Sequence, residues 1–342
     1  MERAARRQTA SWLLACCLLL FFLVVVGGVT RLTRSGLSIV EWQPLIGALP
    51  PLSQADWLAL FEKYRQTPEF RLVNPAMDLE GFKRIFWWEY VHRLLGRLIG
   101  LAFLVPYLYF IVKKKLNRSL AWQLAGVLAL GALQGAMGWY MVQSGLADEP
   151  RVSHFRLTAH LGLALLIFAA MFWIALDLLA RKESSERMNA RTIPLLLPAM
   201  VFLMALSGGM VAGSRAGHAY NSFPLMNGHL VPPEILMLEP WYRNFLFNTA
   251  TIQFVHRGFF WLLLVLVPLA WWRLKHTPAR AAAGALLAAF VLQAGLGIAT
   301  LVLGVPLLLA AAHQAGAVLL LAAALWTAQR LTQVNIGGET RT

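Results

Sequence analysis

Charge is scarce in this chain: Asp, Glu, Lys and Arg make up 13% of the 342 residues, whereas apolar residues make up 58%. A soluble domain carries roughly twice that charged fraction. The composition therefore excludes an ordinary soluble fold and predicts an integral membrane protein. The formal net charge of +14 does not indicate a partner nucleic acid, because the basic residues form short clusters between apolar segments.

Cysteine is nearly absent as well. Cys16 and Cys17 are the two cysteines, and they are adjacent within the first apolar segment. Neighbouring cysteines in a helix do not easily meet disulfide geometry, which excludes a disulfide framework. Any metal site in this protein must consequently use histidine, methionine or carboxylate ligands.

Eight apolar segments are long enough to cross a bilayer, which takes roughly 20 residues, and in lipid they must be helices. We predict an all-α integral membrane protein with spans at 12–29, 85–112, 120–143, 155–180, 193–213, 249–272, 281–303 and 306–329. Basic clusters alternate with the spans so that they fall on one side, which the positive-inside rule makes cytoplasmic. We expect both termini inside, a retained basic N-terminal anchor, and a bacterial inner membrane location.

The two halves of the chain resemble each other. Gly27-Gly28 and Arg34 recur as Gly208-Gly209 and Arg215, at a constant separation of 181 residues. Three more matches follow in the same order, namely EYVHR with QFVHR, LQG with LQAG, and TAHLG with AAHQAG. Each repeat has an even number of spans, so the copies share one orientation. We predict two pseudo-symmetric four-helix bundles: an N-terminal half over 1–185, including a long outer loop at 30–84, and a C-terminal half over 186–342.

Four of the eight histidines occupy matching positions in the repeat: His92, His160, His256 and His313. Ionisable side chains within a membrane are costly and usually functional. A heme iron accepts two axial imidazoles, and facing helices of a bundle can supply them. Interhelical hydrogen bonds are one alternative. Zinc or copper is another, although two histidines alone make a poor metal site. We predict one heme site between the two histidines of each half.

The halves differ at a position close to these histidines. Glu89 is three residues before His92, whereas the second repeat has Gln253 at the matching position. A carboxylate can accept or relay protons, and an amide cannot. We therefore predict chemistry in the N-terminal half and a permanent heme in the C-terminal half. A structural ion pair of Glu89 with Arg93 or Arg97 is the alternative.

Four arginines are candidates for binding the carboxylates of a heme. Arg93 and Arg257 directly follow two of the histidines, and Arg34 and Arg215 lie just outside the first and fifth spans. Arginine binds carboxylates bidentately, so we expect heme propionates as partners. Snorkelling of these side chains to the membrane interface is the alternative.

The sequence resembles the heme A synthase family over nearly its whole length. The resemblance lies in the segments GGVTRLTRSGLSIVEWQPLIGALPP, EYVHRLLGR, QGAMGWYMVQSGL, HFRLTAHLGLALL, SGGMVAGSRAGHAYNSFPLMNG and QFVHR. It implies oxidation of the C8 methyl group of the substrate heme O to the formyl group of heme A, which serves heme-copper cytochrome oxidases. Some members have a cysteine pair in the first outer loop; its absence here resembles the proteobacterial and mitochondrial branch.

The resemblance also implies roles for single residues. His256 and His313 match the ligands of a bound heme b iron, and His92 and His160 match the histidines of the substrate heme. Glu89 matches the carboxylate linked to activity. A heme O synthase and an unidentified electron donor are expected as partners, and homo-oligomer formation is left open. Two other functions compete with this one: a diheme b-type electron-transfer protein, and a transporter of heme or another small molecule.

Overall fold

The computed structural model describes residues 2–43, 46–146, 150–180 and 192–333. Within these residues the regular secondary structure consists of helices. The α-helices are α1 (Arg3–Leu32), α2 (Gln54–Arg65), α3 (Pro68–Leu72), α4 (Leu79–Val112), α5 (Arg118–Leu146), α6 (His154–Leu179), α7 (Thr192–Ser214), α8 (Arg243–Phe247), α9 (Thr249–Leu274), α10 (Arg280–Val302) and α11 (Leu307–Gln333).

Eight of these helices are long and apolar enough to cross a membrane, namely α1, α4, α5, α6, α7, α9, α10 and α11. They keep large apolar side chains exposed, for example Leu101, Val105 and Val265 at 58%, 60% and 63%. Such faces suit lipid, where each backbone polar group must be bonded within its own helix. The predicted all-α membrane protein with eight spans is confirmed, whereas its arrangement as two pseudo-symmetric bundles stays a prediction.

The described residues form two compact units, a first unit within 15–164 and a second unit that combines residues up to 14 with those described between 165 and 333. The predicted boundary between the halves 1–185 and 186–342 falls on residues outside the described part of the chain. That division therefore stays a prediction.

In the first unit, α4 starts earlier than hydropathy predicts, at Leu79 and not at 85. The Asp78 side chain caps it by accepting a hydrogen bond from the Gly81 N–H at 2.8 Å. Phe82, in the added residues, and Phe86, one turn further along α4, are buried in an aromatic cluster with Tyr64 of α2. The early start of α4 thus supports the loop between α1 and α4.

That loop contains the helix α2, whose N-terminus is capped. Ser53 accepts from the Asp56 N–H at 3.1 Å, and the Asp56 carboxylate accepts from the Ser53 N–H at 3.0 Å. This reciprocal capping box starts α2. Trp57 on α2 packs edge-on against Phe86 of α4, so the loop helix is attached to a membrane span.

The internal repeat is visible in the local backbone. Arg34 after α1 has φ 55°, and Arg215 after α7 has φ 59°. Residues other than glycine rarely adopt this left-handed conformation, which is typical of the position that ends a helix. The same turn therefore ends both helices at positions that correspond in the sequence repeat. Both arginine side chains are exposed.

Candidate functional site

The first unit brings two of the predicted histidines together. His92 on α4 and His160 on α6 are close enough to interact electrostatically. Both rings are half-buried, and both Nδ1 atoms are buried without a hydrogen-bond partner among the described residues. Nε2 is the nitrogen of each ring that could bind an iron, and in His160 it lies 3.3 Å from the Gln134 side-chain nitrogen. Gln134 on α5 packs beside this pair, and its Nε2 donates to the His160 carbonyl at 3.1 Å.

The second unit repeats the arrangement with His256 on α9 and His313 on α11, which also interact electrostatically. Here a serine holds one ring. Ser207 Oγ lies 2.8 Å from His256 Nδ1 and donates to the Met204 carbonyl at 2.7 Å. Because a hydroxyl has one hydrogen, Ser207 must accept from the His256 Nδ1–H. That tautomer leaves the Nε2 lone pair free to bind a metal.

Each imidazole lies against a glycine of a neighbouring helix. A methyl group added to the glycine would stand within 3.3 Å of the ring carbon Cε1 in every case. The distances are 2.7 Å for Gly27 to His92, 3.1 Å for Gly138 to His160, 3.3 Å for Gly208 to His256 and 2.7 Å for Gly297 to His313. Glycine is thus needed for the ring to reach the helix backbone. The repeat matches Gly27 with Gly208 in the sequence, but neither their contact with histidine nor the pair Gly138 and Gly297 was predicted. A signal for that pair existed, since Gly138 and Gly297 each follow a glutamine by four residues.

The donor set fits a heme iron. Each unit offers two imidazoles from different helices, with Nδ1 turned inward and the rings oriented by glycine contacts. Two axial imidazoles are what a low-spin heme takes. Over the described residues, no three His, Cys, Asp or Glu side chains are grouped so that they could hold a metal ion.

Glu89 is fully engaged in hydrogen bonds beside the first pair. Its side chain is 3% exposed, and it forms an ion pair of 2.7 Å with Arg93. Its other oxygen accepts from Ser38 Oγ at 2.7 Å and from the Ile39 N–H at 2.8 Å. The structural pair that the sequence offered as an alternative is therefore present. Ser38 and the Ile39 backbone are partners that sequence analysis missed.

Arg93 also donates hydrogen bonds to the backbone of the segment that follows α1. Its guanidinium donates to the Ile39 carbonyl at 2.8 Å and the Glu41 carbonyl at 3.0 Å. Arg97, one turn later, donates to the Gln43 carbonyl at 2.8 Å. Arg93 and Arg97 of α4 thus both bind loop backbone beside the histidine pair.

Arg257 does the same in the second unit. It donates to the carbonyls of Tyr220 at 3.2 Å and Ser222 at 2.9 Å, acceptors that follow those of Arg93 by 181 residues. Gln253 assists by donating to the Tyr220 carbonyl at 3.1 Å. The matching arginines therefore bind matching loop carbonyls in both units, and propionate binding by Arg93 or Arg257 stays a prediction.

These features define a multi-pass membrane protein that presents a histidine pair in each of two units. Residues 10–325 match the family model described as cytochrome oxidase assembly protein. The chain belongs to this family, and the predicted likeness to heme A synthases is confirmed by its relatives.

Three relatives share most of their length with this chain, and each is named heme A synthase. The protein of Nitrosospira multiformis is 59% identical over 96% of this chain and 94% of its own. That of Nitrosomonas eutropha is 55% identical over 94% of this chain and 93% of its own. That of Parvibaculum lavamentivorans is 47% identical over 95% and 94%, respectively.

Proposed function

We propose that this chain is a heme A synthase, a membrane enzyme that oxidises the C8 methyl group of heme O to the formyl group of heme A. One observation carries the proposal beyond the relatives' names. Two matched histidine pairs exist, yet a buried carboxylate, Glu89, accompanies the first pair and the amide of Gln253 accompanies the second. A protein with two permanent hemes has no need of this difference.

In the first unit, His92 and His160 would hold the iron of the substrate heme O and so set the position of its ring. Glu89 would present a fixed negative charge next to that ring, because Arg93, Ser38 and Ile39 prevent its carboxylate from turning. A fixed carboxylate stabilises positive charge that develops on a substrate and can accept a proton from it.

In the second unit, His256 and His313 would hold a heme b. This cofactor, when bound, supplies a redox centre for the electrons that leave the substrate. The protein contributes the ligand geometry, since Ser207 selects the tautomer of His256 and Gly208 and Gly297 set the ring planes. Arg34 and Arg215, exposed at equivalent helix ends, would meet heme propionates.

The cellular setting follows from the charge pattern and is part of the proposal. Both termini lie in the cytoplasm of a bacterium, and the histidine pairs lie toward the periplasmic side of the inner membrane. A heme O synthase delivers the substrate, and a separate electron carrier takes part in the redox cycle.

Mass spectrometry of extracted hemes tests the proposal in a host that makes heme O but no heme A. We expect heme A only when the gene is expressed. Glu89→Gln should abolish heme A and leave the bound heme b in place. Glu80→Gln is the matched control, because Glu80 lies on the same helix with its side chain 67% exposed and pairs with Lys83.

The competing functions predict other results. Binding of heme O without any heme A would support a transporter. Two permanently bound b-type hemes and no heme O binding would support an electron-transfer protein. Unchanged heme A in Glu89→Gln would contradict a chemical role for this carboxylate.

A further inference from the structure

A second buried carboxyl group lies in the loop of the first unit and is unused by the function proposed above. Glu69 on α3 is 4% exposed. Its Oε2 atom is buried, and no described residue donates a hydrogen bond to it. Buried carboxylates are normally paired or hydrogen-bonded, because an unpaired ion in a poorly solvated setting is costly.

Three charged or titratable groups face Glu69 from the elements around it: Tyr64 of α2, Glu89 of α4 and Arg34 at the end of α1. Burial raises the pKa of Glu69 to about 7, and repulsion by Glu89 adds to the effect. Arg34 acts in the opposite direction but does not cancel it.

The carboxyl groups of Glu69 and Glu89 have different hydrogen-bond partners. Glu89 has an arginine and two further donors, the arrangement of an ionised carboxylate. At Glu69, by contrast, no described residue donates to the buried Oε2 atom. Glu69 and Glu89 are connected through packing. Phe70 is next to Glu69 in the sequence, and the Ile39 N–H binds Glu89. Both Phe70 and Ile39 pack on the aromatic cluster of Tyr64, Phe82, Phe86 and Tyr90.

We propose that Glu69 is a further positioning residue of the N-terminal site, which in its neutral form keeps α3 and the segment around Ile39 packed beside Glu89. An ionised Glu69 would be an unpaired anion facing the Glu89 anion. Movement of α3 toward water would relieve this repulsion, and it would loosen the packing that aligns the Ile39 N–H with Glu89. The consequence for turnover rests on the function proposed above.

The pH dependence has a definite sign. The pKa of the Glu69 carboxyl is raised in the folded protein, so the neutral form is favoured by folding. The packed loop is therefore stable at lower pH and is lost as pH rises through about 7. Above that value the neutral fraction of a carboxyl falls about tenfold per pH unit.

The first test is the rate of heme A formation by the full-length protein as a function of pH. The wild type should lose activity above neutral pH at up to tenfold per unit, whereas Glu69→Gln, a mimic of the neutral acid, should keep its activity there. Glu62→Gln is the control, because that carboxylate has its side chain 61% exposed and pairs with Arg65. A Glu69→Gln variant that declines like the wild type, or is equally slower at every pH, would overturn the proposal.

A second measurement does not depend on turnover. Infrared spectra of the purified protein should contain a protonated carboxyl band that disappears near neutral pH, is absent from Glu69→Gln, and titrates at lower pH in Glu89→Gln. If the wild type lacks such a band, the proposal fails even though heme A is formed. If the band is present and no heme A is formed, the proposed function fails and the assignment of Glu69 stands.

Discussion

The histidine sites of the two units share an imidazole pair, contacting glycines and a loop-binding arginine, and they differ in the polar side chains beside them. In both, an imidazole pair lies against glycines, and an arginine binds the loop that follows the first helix of the repeat. In the first unit the arginine pairs with the carboxylate of Glu89, and in the second it meets the amide of Gln253 at 3.5 Å. The two sites thus share their histidines, glycines and loop-binding arginine, and they differ in a carboxylate against an amide.

The second difference concerns the imidazole itself. Ser207 bonds the Nδ1 atom of His256, whereas the matching position in the first repeat is Val26, which has no hydroxyl to bond the His92 ring. A ligand held by a hydrogen bond in one tautomer binds metal more firmly. The difference concerns one ligand of each pair, because the Nδ1 atoms of His160 and His313 both lack a hydrogen-bond partner among the described residues.

The largest effect should come from removing one histidine of each pair. His313→Ala should lose the resident heme b almost completely, because its iron keeps a single protein ligand. His160→Ala should retain heme b and lose heme A formation. The ratio of heme to protein after purification, measured together with heme A in the membranes, distinguishes the two variants. Equal loss of heme b from both would contradict the separate roles of the units.

A smaller effect is expected from the arginines that fasten the loops. Arg93→Ala leaves the buried Glu89 carboxylate without its ion-pair partner. An unpaired, fully buried charge lowers the free energy of unfolding by about 3–5 kcal/mol. We expect the lower end of this range because the Arg93 side chain is 18% exposed. Arg257→Ala leaves only neutral carbonyls and the Gln253 amide unpaired, at about 1–3 kcal/mol. Thermal unfolding of the two variants measures the difference.

A double variant provides the control for this comparison. Replacing Glu89 by glutamine in the Arg93→Ala background removes the unpaired charge and should restore much of the lost stability, without restoring turnover. Equal destabilisation by Arg93→Ala and Arg257→Ala, with no recovery in the double variant, would show that both arginines act only through packing.

The eight spans could be predicted because their apolar length leaves the backbone no structure other than a helix in lipid. The histidine pairs could be predicted because the repeat places them at matching positions. Glu89 was identified by its difference from Gln253, and its pairing with Arg93 was foreseen as an alternative. These features depend on residue type and spacing, which a sequence records directly.

Other features depend on the path of the loops and could not be read from the sequence. The acceptors of Arg93 and Arg257 are backbone carbonyls, and carbonyls are the same in every residue. Glu69 resembles the exposed acidic residues around it in the sequence, and its burial becomes visible only when α3 is packed. Ser207 could have been noticed beside Gly208, but nothing in the sequence pairs it with His256.

The glycines that contact the imidazoles allow the finest test of the comparison. A methyl group at Gly297 would stand 2.7 Å from the His313 ring, closer than real contacts allow, so the ring must move. At Gly208 the distance to the His256 ring is 3.3 Å, and a shift of a few tenths of an ångström suffices.

We therefore expect Gly297→Ala to weaken heme b binding by about 1–3 kcal/mol, the usual cost of overpacking, and Gly208→Ala to have a much smaller effect. Heme retention during purification and the absorption spectrum of the bound heme measure both variants. Gly27→Ala, with a 2.7 Å contact on His92, is the counterpart in the first unit. It should slow heme A formation while heme b is retained, since the ring that it displaces belongs to the substrate site. Loss of heme b from Gly27→Ala would mean that the two units do not hold their hemes independently.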